Sequence, residues 1–506
     1  MEKNPTDLAY QILREVMFAG EDKKSSAAIS KLLELGKIRR IAPKIYTTNF
    51  EAQDADIVKR NLFPIIGRLY PGAILSHRTA FECMPTSQGD IYLTYKYTRK
   101  VSLPGITVHL LEGPKADERD IPFVDGLYMA HQARAYLENM QVSKQSKGAE
   151  KCLSQRVIEE KLEKMVRVNG EEALNKLRDE ARATAGRLGM EREMERLSQL
   201  ISAILSTHSS SILQSPLTLA RAMGDPYDAE RLDLLQNAFA SLANHEFRNV
   251  ENRQWEDREF RNFAFFESYF SNYIEGTEFS IEDAHTIIST GRPLPMRNDD
   301  SHDVLGTYAI VSNKVEMQRV PGSAEEFIRM LQARHAVLLE ARTAKSPGQF
   351  KMQNNHAGET YFVDYQYVRG TLLKAFGLYN ALQHPLARAI MMHLIVAEVH
   401  PFNDGNGRMA RVMMNAELVS ARQSKVLIPN VFRDDYILAL KKFSHQRDVS
   451  TLVQVVEKMQ GYAARIPCES YEAAHAYLEA TNAYMDPDEA RIILDLPNSR
   501  IRENRH

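Results

Sequence analysis

The spacing of apolar residues separates a mixed N-terminal region from a mainly helical remainder. Apolar residues recur three and four positions apart from Leu8 to Phe18 and from Ala27 to Leu35, which predicts two helices. Residues 38–46 alternate between polar and apolar positions as a basic two-stranded hairpin does, and β-type runs continue over Ala73–Leu111. This order predicts a winged-helix-like α+β region over residues 1–140.

A helical connector is predicted over residues 141–232. Arg156–Val168 and Gly170–Leu200 are rich in charge, and their apolar residues recur at helical spacing. Such segments pack one face on a core and expose the other. Breaks are predicted at Ser206–Ser215, which is rich in Ser and Thr, and at Gly224–Pro226.

The helical pattern resumes at residue 233, which predicts a helical domain over residues 233–465. A loop at Pro293–Asp303 and a hairpin-like region at Ser346–Val363 interrupt it. A helical tail is predicted over residues 466–506. The predicted fold class is therefore mainly α and multidomain.

Composition limits the classes of protein that fit. The chain has 506 residues, 44% apolar and 26% charged, with a net charge of -2, so nothing draws it as a whole toward nucleic acid or anionic lipid. Cys83, Cys152 and Cys468 are too scattered for a disulfide framework or a zinc site. No segment is typical of a secretion signal or a membrane span. We expect a cytoplasmic protein without a membrane contact.

The segment that carries chemistry is HPFNDGNGRMAR, His400–Arg411. An apolar helix ends near His400, because Pro401 cannot continue regular helical hydrogen bonding. Gly405 and Gly407 can adopt positive φ and bring backbone N–H groups close to an anion where the next helix begins. The segment therefore predicts an anion site beside a histidine.

Two arginines extend this anion site. Arg408 and Arg411 lie three positions apart on the following helix and share a face. Guanidinium groups bind phosphate oxygens in a bidentate manner, which suits a nucleotide. Taken singly, such residues are more often caps, turns or solvated surface. Their conjunction within twelve residues favours a phosphate cradle with a base.

The same segment matches every specified position of the Fic signature, H-x-F-x-[DE]-G-N-G-R-x-x-R, and so resembles the Fic family of AMP transferases. The resemblance implies that His400 is the general base for a protein hydroxyl and that Phe402 packs the loop into the core. It implies that Asp404 holds Mg²⁺ against the phosphates of ATP. The residues implied to be catalytic are His400, Asn406 and Arg408. Those implied to bind the nucleotide are Phe402, Gly405, Asn406, Gly407, Arg408 and Arg411.

The hairpin-like region resembles the β-hairpin flap of Fic proteins. Ser346–Lys351 and Thr360–Val363 bracket the turn-forming Asn354–Gly358. The flap of that family holds a target segment by strand addition. The family often has Arg where this chain has Lys351, and an unrelated exposed hairpin is the alternative interpretation.

A second family motif, [ST]-x-x-x-E-[GN], is matched by Ser271, Glu275 and Gly276. Ser271 and Glu275 share a helix face, and glycine commonly ends a helix. The resemblance implies an inhibitory helix near residues 258–276, in which Glu275 pairs with Arg411 and occupies the space of the γ-phosphate. The alternative is an ordinary helix end with a surface glutamate.

Residues 27–46, and less closely 74–111, resemble the N-terminal winged-helix and following domain of AbiEi-type antitoxin regulators. The likeness rests on a helix, Leu-Gly, a basic strand, Pro-Lys-Ile-Tyr and, later, Leu75–Ala80. It leaves open whether the wing contacts DNA or only protein. The residues expected to neutralise DNA phosphates are Lys37, Arg39, Arg40 and Lys44.

These observations predict a self-inhibited protein adenylyltransferase that uses ATP and Mg²⁺ to modify Ser, Thr or Tyr hydroxyls of target proteins and of itself. The alternatives are AMP removal, with Glu275 positioning water, or transfer of another phosphate-linked group at the same site. A third is a DNA-binding regulator with a Fic sensor domain, although an intact His400 argues against an idle core. Assembly as a homo-oligomer is left open.

Overall fold

The computed structural model describes residues 15–19, 23–142, 150–207, 209–252, 256–295 and 297–494. The chain forms two compact units, Met1–Met223 and Gly224–His506. Helices dominate the second unit, and the first combines helices with two sheets. The mainly α class with an α+β N-terminal region is therefore confirmed. No helix of the described residues is long and apolar enough to cross a bilayer.

The first unit contains nine helices and nine strands among its described residues. The strands are β1 Val16–Phe18, β2 Arg39–Ala42, β3 Ile45–Thr47, β4 Ile74–Leu75, β5 Asp90–Tyr95, β6 Arg99–Leu103, β7 Ile106–Glu112, β8 Ile121–Pro122 and β9 Tyr128–Met129. The helices are α1 Lys23–Glu34, α2 Asp54–Arg60, α3 Leu62–Leu69, α4 His77–Glu82, α5 Gln132–Asn139, α6 Gln155–Asn169, α7 Glu171–Leu188, α8 Glu191–Ile204 and α9 Pro216–Ala222.

A small antiparallel sheet in the order β1-β3-β2 packs with α1 at the start of this unit. The hairpin predicted over residues 38–46 is confirmed as β2 and β3. The helix predicted over Leu8–Phe18 is wrong at Val16–Phe18, which pair with β3, because non-local pairing overrides local spacing. Residues 8–14 of that prediction lie outside the described ones.

One basic residue of the β2–β3 hairpin, Arg39, binds other residues of the first unit. Arg39 forms an ion pair with Asp54 and donates to the carbonyls of Asn49 (2.9 Å) and Ala52 (2.7 Å). Its guanidinium therefore holds the wing to the next helix. The exposed basic residues are Lys37, Arg40 and Lys44. A DNA contact through them stays a prediction.

A six-stranded mixed sheet in the order β6-β7-β5-β4-β9-β8 follows. The β5–β7 and β4–β9 pairs are parallel, and β5 and β7 lie where β-type runs are predicted over Ala73–Leu111. Helices α5 to α8 enclose a separate core. The segment predicted to be helical over Gly170–Leu200 forms two helices, because Gly189 adopts φ 67° and separates α7 from α8.

The second unit is helical apart from one hairpin and short 3₁₀ turns in its described residues. Its helices are α10 Ala229–Asn244, α11 Asp257–Ile274, α12 Ile281–Thr290, α13 Asn298–Val311, α14 Lys314–Met317, α15 Ala324–Leu338, α16 Val368–Ala381, α17 Pro385–Val399, α18 Asn406–Ser420, α19 Arg433–Gln446, α20 Ser450–Ala463 and α21 Tyr471–Ala480. The hairpin strands are β10 His356–Ala357 and β11 Thr360–Tyr361.

Helices α17 and α18 form the centre of this unit, and nearly all of their side chains are buried. A helix that is apolar on every face is stable only inside a core. Pro385 begins α17, with His384 as its cap. The loop predicted over Pro293–Asp303 is wrong from Asn298 onward, because α13 begins there. That helix places Asp303 beside α18.

Candidate active site

His400 ends α17 in the left-handed conformation, with φ 51° and its N–H bonded to the Val396 carbonyl. Its Nδ1 lies 3.3 Å from the Ala397 carbonyl. Because a carbonyl can only accept, Nδ1 carries the proton and Nε2 retains its lone pair. Burial lowers the pKa of His400 to about 4, and the charge of Lys351 adds to the lowering. The imidazole is therefore neutral, and the lone pair on Nε2 is available to accept a proton.

The loop after His400 is fixed by Phe402 and Asn406. Phe402 is buried and stacks on His335, with ring centroids 3.7 Å apart. The Asn406 side chain accepts from the Phe402 N–H (2.9 Å) and donates to the Phe402 carbonyl (2.8 Å). Asn355, at the flap, donates to the same carbonyl (2.9 Å). The Asn406 amide is thus committed to holding the loop.

Asp404 lies where this loop meets α18, with 36% of its side chain exposed. One carboxylate oxygen accepts the N–H of Gly405 (2.7 Å), which adopts φ 74° at the N-terminus of α18. Burial raises the pKa of Asp404, but Arg408, the Gly405 N–H and Lys345 outweigh it and lower the pKa below its usual value. The carboxylate is ionised and accessible.

Arg408 is buried in the first turn of α18. It forms an ion pair with Asp303 of α13 (3.1 Å), donates to Asn272 of α11 (3.3 Å) and lies 3.6 Å from Asp404. Within the described part of the chain, its Nε is buried without a hydrogen-bond partner. A buried guanidinium with an unused N–H is suited to an additional acceptor.

Arg411 is buried one turn further along α18, where it contacts the end of α11 and the ring of Tyr436 on α19. Its Nε donates to the Ser271 hydroxyl (2.9 Å), and its Nη2 donates to the Ser271 carbonyl (2.8 Å). The same Nη2 pairs with Glu275 at 2.7 Å. The three residues matched by the inhibitory and catalytic motifs are therefore in contact.

The end of α11 directs the Glu275 carboxylate toward α18. Gly276 adopts φ 88°, and the N–H groups of Gly276 and Thr277 bond back to the carbonyls of Tyr273 and Asn272. A Cβ added at Gly407 would collide with the Glu275 carboxylate. The carboxylate therefore sits against the first turn of α18, where a helix N-terminus favours an anion.

The hairpin lies next to His400. Strands β10 and β11 are antiparallel, and Phe362, directly after β11, stacks on His400 with ring centroids 3.7 Å apart. Arg231 of α10 donates to the Tyr361 carbonyl (2.7 Å) and pairs with Glu398 near the end of α17. Buried Lys351 donates to Asn355 (2.6 Å), and burial lowers its pKa to about 8.

Several residues of the site carry no local signal in the sequence. His335, Arg231 and Glu398 are polar residues within ordinary helical patterns, and Asp303 ends a polar run that predicts a loop. Their positions become meaningful only when the helices pack. Acids in the first turn of α13 were the one available sign, since Asp299 and Asp300 favour a helix start.

Comparisons with known proteins agree with this geometry. Residues 328–418 match the model of the Fic/DOC family. The protein adenylyltransferase Fic of Drosophila willistoni is 35% identical over 78 residues, which cover 15% of this chain and 16% of that protein. The protein of the same name from Nematostella vectensis is 27% identical over 230 residues, or 43% of this chain and 49% of that protein. The chain thus spans less than half the length of these relatives.

Among solved structures, Fic-1 from C. elegans aligns with a TM-score of 0.35 and 20% identity, covering 64% of this chain and 87% of that chain. The family match includes α17, the loop and most of α18, whereas α11 lies before it. This chain therefore carries a domain of the Fic/DOC family, and the His400 loop lies within it.

Proposed function

We propose that this chain transfers AMP from ATP to a Ser, Thr or Tyr hydroxyl of a protein, itself included, and that Glu275 holds this activity back. One observation carries the proposal. The Glu275 carboxylate is bound to Arg411 against the N-terminal turn of α18, so the protein's own anion fills an anion site beside a neutral histidine. The named activity of the Fic relatives supports the choice of nucleotide transfer.

The chemistry requires one proton transfer and one displacement. The hydroxyl oxygen of the target forms a bond to the α-phosphorus of ATP, and the bond from that phosphorus to the bridging oxygen of pyrophosphate breaks. The proton goes to Nε2 of His400, which its tautomer leaves free. The products are an AMP-modified side chain and pyrophosphate.

The side chains around the loop fit a metal-bound nucleotide. The ionised, accessible carboxylate of Asp404 is a hard oxygen ligand of the kind that Mg²⁺ takes. The unused Nε–H of Arg408 suits a phosphate oxygen, and Arg411 would turn from Glu275 to the outer phosphates. Bound Mg²⁺ would supply charge neutralisation on the phosphates.

The flap supports a protein substrate. Tyr361 and Met352 expose large apolar side chains on either side of the hairpin turn. An exposed hairpin edge can receive an extended segment by strand addition. Phe362, which follows β11, is in contact with His400, so the hydroxyl of a segment docked on the hairpin would approach His400.

The identity of the transferred group tests this proposal. The Glu275→Gly protein is incubated with ATP labelled at the α-phosphate and, separately, at the γ-phosphate, and intact mass is measured. AMP transfer retains only the α label and adds the mass of AMP. A matched Glu278→Gly variant changes a nearby acid beyond the end of α11.

Each result has one meaning. Retention of the γ label would overturn AMP transfer in favour of another phosphate-linked group. Absence of label in Glu275→Gly, with loss of AMP from pre-modified protein by the parent only, would favour AMP removal. Equal labelling of the Glu275→Gly and Glu278→Gly variants would overturn the inhibitory role of Glu275.

A further inference from the structure

We propose that His335 is a positioning residue that fixes the peptide between Asp404 and Gly405, and with it the direction of the Asp404 carboxylate. The inference rests on the proposed function, because it concerns the group expected to hold Mg²⁺. His335 lies on α15, far from the signature in sequence, and the signature does not include it.

The two ring nitrogens of His335 have opposite and defined roles. The Gly348 N–H donates to Nδ1 at 2.9 Å, and a backbone N–H can only donate. Nε2 lies 3.1 Å from the Asp404 carbonyl, which can only accept. His335 is therefore neutral, with its proton on Nε2. The ring is fully buried, so neither hydrogen bond competes with water.

The Asp404 carbonyl and the Gly405 N–H belong to one rigid peptide plane. His335 holds the carbonyl end of that plane, and the Asp404 carboxylate accepts from the N–H end at 2.7 Å. Gly405 has the freedom to let the plane rotate if the carbonyl loses its donor. The carboxylate would then follow the N–H away from its present direction.

The same ring joins the flap to the loop. Its face stacks on Phe402, with an interplanar angle of 2°. Gly348, whose N–H it accepts, begins the segment that enters the flap, where Phe350 packs on Phe402 and the Lys351 N–H donates to the Pro401 carbonyl (2.9 Å). The His335 ring therefore holds both the peptide between Asp404 and Gly405 and the start of the flap at Gly348.

Two substitutions separate these two hydrogen bonds. In His335→Gln, the side-chain amide reaches the position of Nε2 and can still donate to Asp404. In His335→Asn, the amide oxygen lies near the position of Nδ1 and can accept from Gly348, but nothing reaches Asp404. A histidine with a merely structural role would make the two variants alike.

The test uses the full-length chain with Glu275→Gly, in which transfer is measured as a function of Mg²⁺ and ATP. We expect His335→Asn to raise the Mg²⁺ concentration needed for half-maximal transfer about tenfold, the effect of one lost buried hydrogen bond. His335→Gln should stay within about twofold of its parent, because it keeps that bond. The limiting rate at saturating Mg²⁺ should change less than the Mg²⁺ requirement.

Tyr379→Phe is the control for stability. It removes a buried hydrogen bond to Glu417 (2.6 Å) about three helical turns along α18 from the loop. It should lower the melting temperature without changing the Mg²⁺ requirement. Equal Mg²⁺ requirements in the Asn and Gln variants would overturn the proposal for His335.

Failure of the proposed function is visible separately, since Glu275→Gly alone would then incorporate no AMP. If His335→Asn does not fold, nitrogen chemical shifts of histidine-labelled protein decide the matter. A His335 signal, assigned by its loss in His335→Gln, with the proton on Nε2 supports the bridge. A proton on Nδ1 overturns it.

Discussion

Each unit of the molecule contains a buried arginine bound by carboxylates, and the two arrangements differ in what could replace the acid. Arg134 of α5 pairs with Asp120 (2.7 Å) and Glu138 (2.9 Å). Arg411 of α18 pairs with Glu275 (2.7 Å). The charge chemistry is the same in both.

In the first unit, the acids are as buried as the arginine. At most 2% of any of the three side chains is exposed. Asp120 also accepts the His131 N–H, and Glu138 accepts the His77 N–H. Both carboxylates are thus held by backbone N–H groups as well as by the charge of Arg134.

In the second unit, Glu275 is 34% exposed, whereas Arg411 is 7% exposed. The acid stands at a helix end, against the first turn of α18 at Gly407. An anion arriving from solvent meets the same arginine and the same helix N-terminus. The comparison teaches that the two ion pairs differ in access: solvent, and with it an anion, reaches the acid of the Glu275–Arg411 pair, whereas both acids of Arg134 are enclosed.

The largest expected effect comes from replacing His400, the expected proton acceptor beside the Glu275–Arg411 ion pair. In the Glu275→Gly background, His400→Ala should lower AMP incorporation by about 10²–10⁴-fold, because the proton acceptor is lost. ATP should still protect the double variant from heat, since Arg408 and Arg411 remain. Undiminished incorporation would mean that another group removes the proton.

A second prediction concerns the buried ion pairs of Arg134 with Asp120 and Glu138. Arg134→Ala leaves Asp120 and Glu138 buried without their counter-charge, at an expected cost of about 3–5 kcal/mol to the stability of the first unit. Urea unfolding measures this cost. Self-labelling should stay at the level of the parent, and a rise like that of Glu275→Gly would remove the distinction between the two pairs.

Breaking the Glu275–Arg411 ion pair should raise AMP transfer. Glu275→Gly frees Arg411 for the outer phosphates, and self-labelling should increase by about 5- to 150-fold, the usual size of a regulatory coupling free energy. ATP should raise the melting temperature of this variant more than that of the parent.

Adding Arg411→Ala should abolish the gain from Glu275→Gly, because both residues act through one contact. The double variant and the single variants form a cycle that measures this dependence. Additive effects would show that Glu275 restrains activity by some route other than Arg411.

The smallest expected effect is on pH dependence. Burial lowers the pKa of His400 to about 4, so the base stays unprotonated as the pH falls from 8 to 5.5. The kcat/KM of Glu275→Gly should change less than about twofold over this range, since kcat/KM reports the free enzyme. A histidine with its ordinary pKa near 6.5 would instead produce a roughly tenfold fall. Circular dichroism at pH 5.5 controls for unfolding.

The sequence predicted most where the signal is local. The end of α17 at His400, the positive φ of Gly405 and the common face of Arg408 and Arg411 follow from Pro401, glycine and helical spacing. The cap at Gly276 follows from the same kind of rule. Each depends only on residues a few positions away.

Predictions failed where distant pairing decides the conformation. Val16–Phe18 have helical spacing but form a strand, because β3 supplies their hydrogen-bond partners. Asn298–Asp303 resemble a polar loop but form the start of α13, where Asp303 binds Arg408 and Arg342. In both cases the partners that these residues contact lie far away along the chain.

By itself, the sequence determined which groups are candidates for the reaction, since the order of His400, Asp404, the glycines and the arginines is set by covalent spacing. Only the tertiary structure decided that Glu275 reaches Arg411 and that His335 holds the Asp404 peptide. Both contacts join separate helices, and their geometry depends on how a whole core packs. Covalent spacing fixes neighbours within a few residues, whereas contacts between helices depend on the burial of many side chains at once.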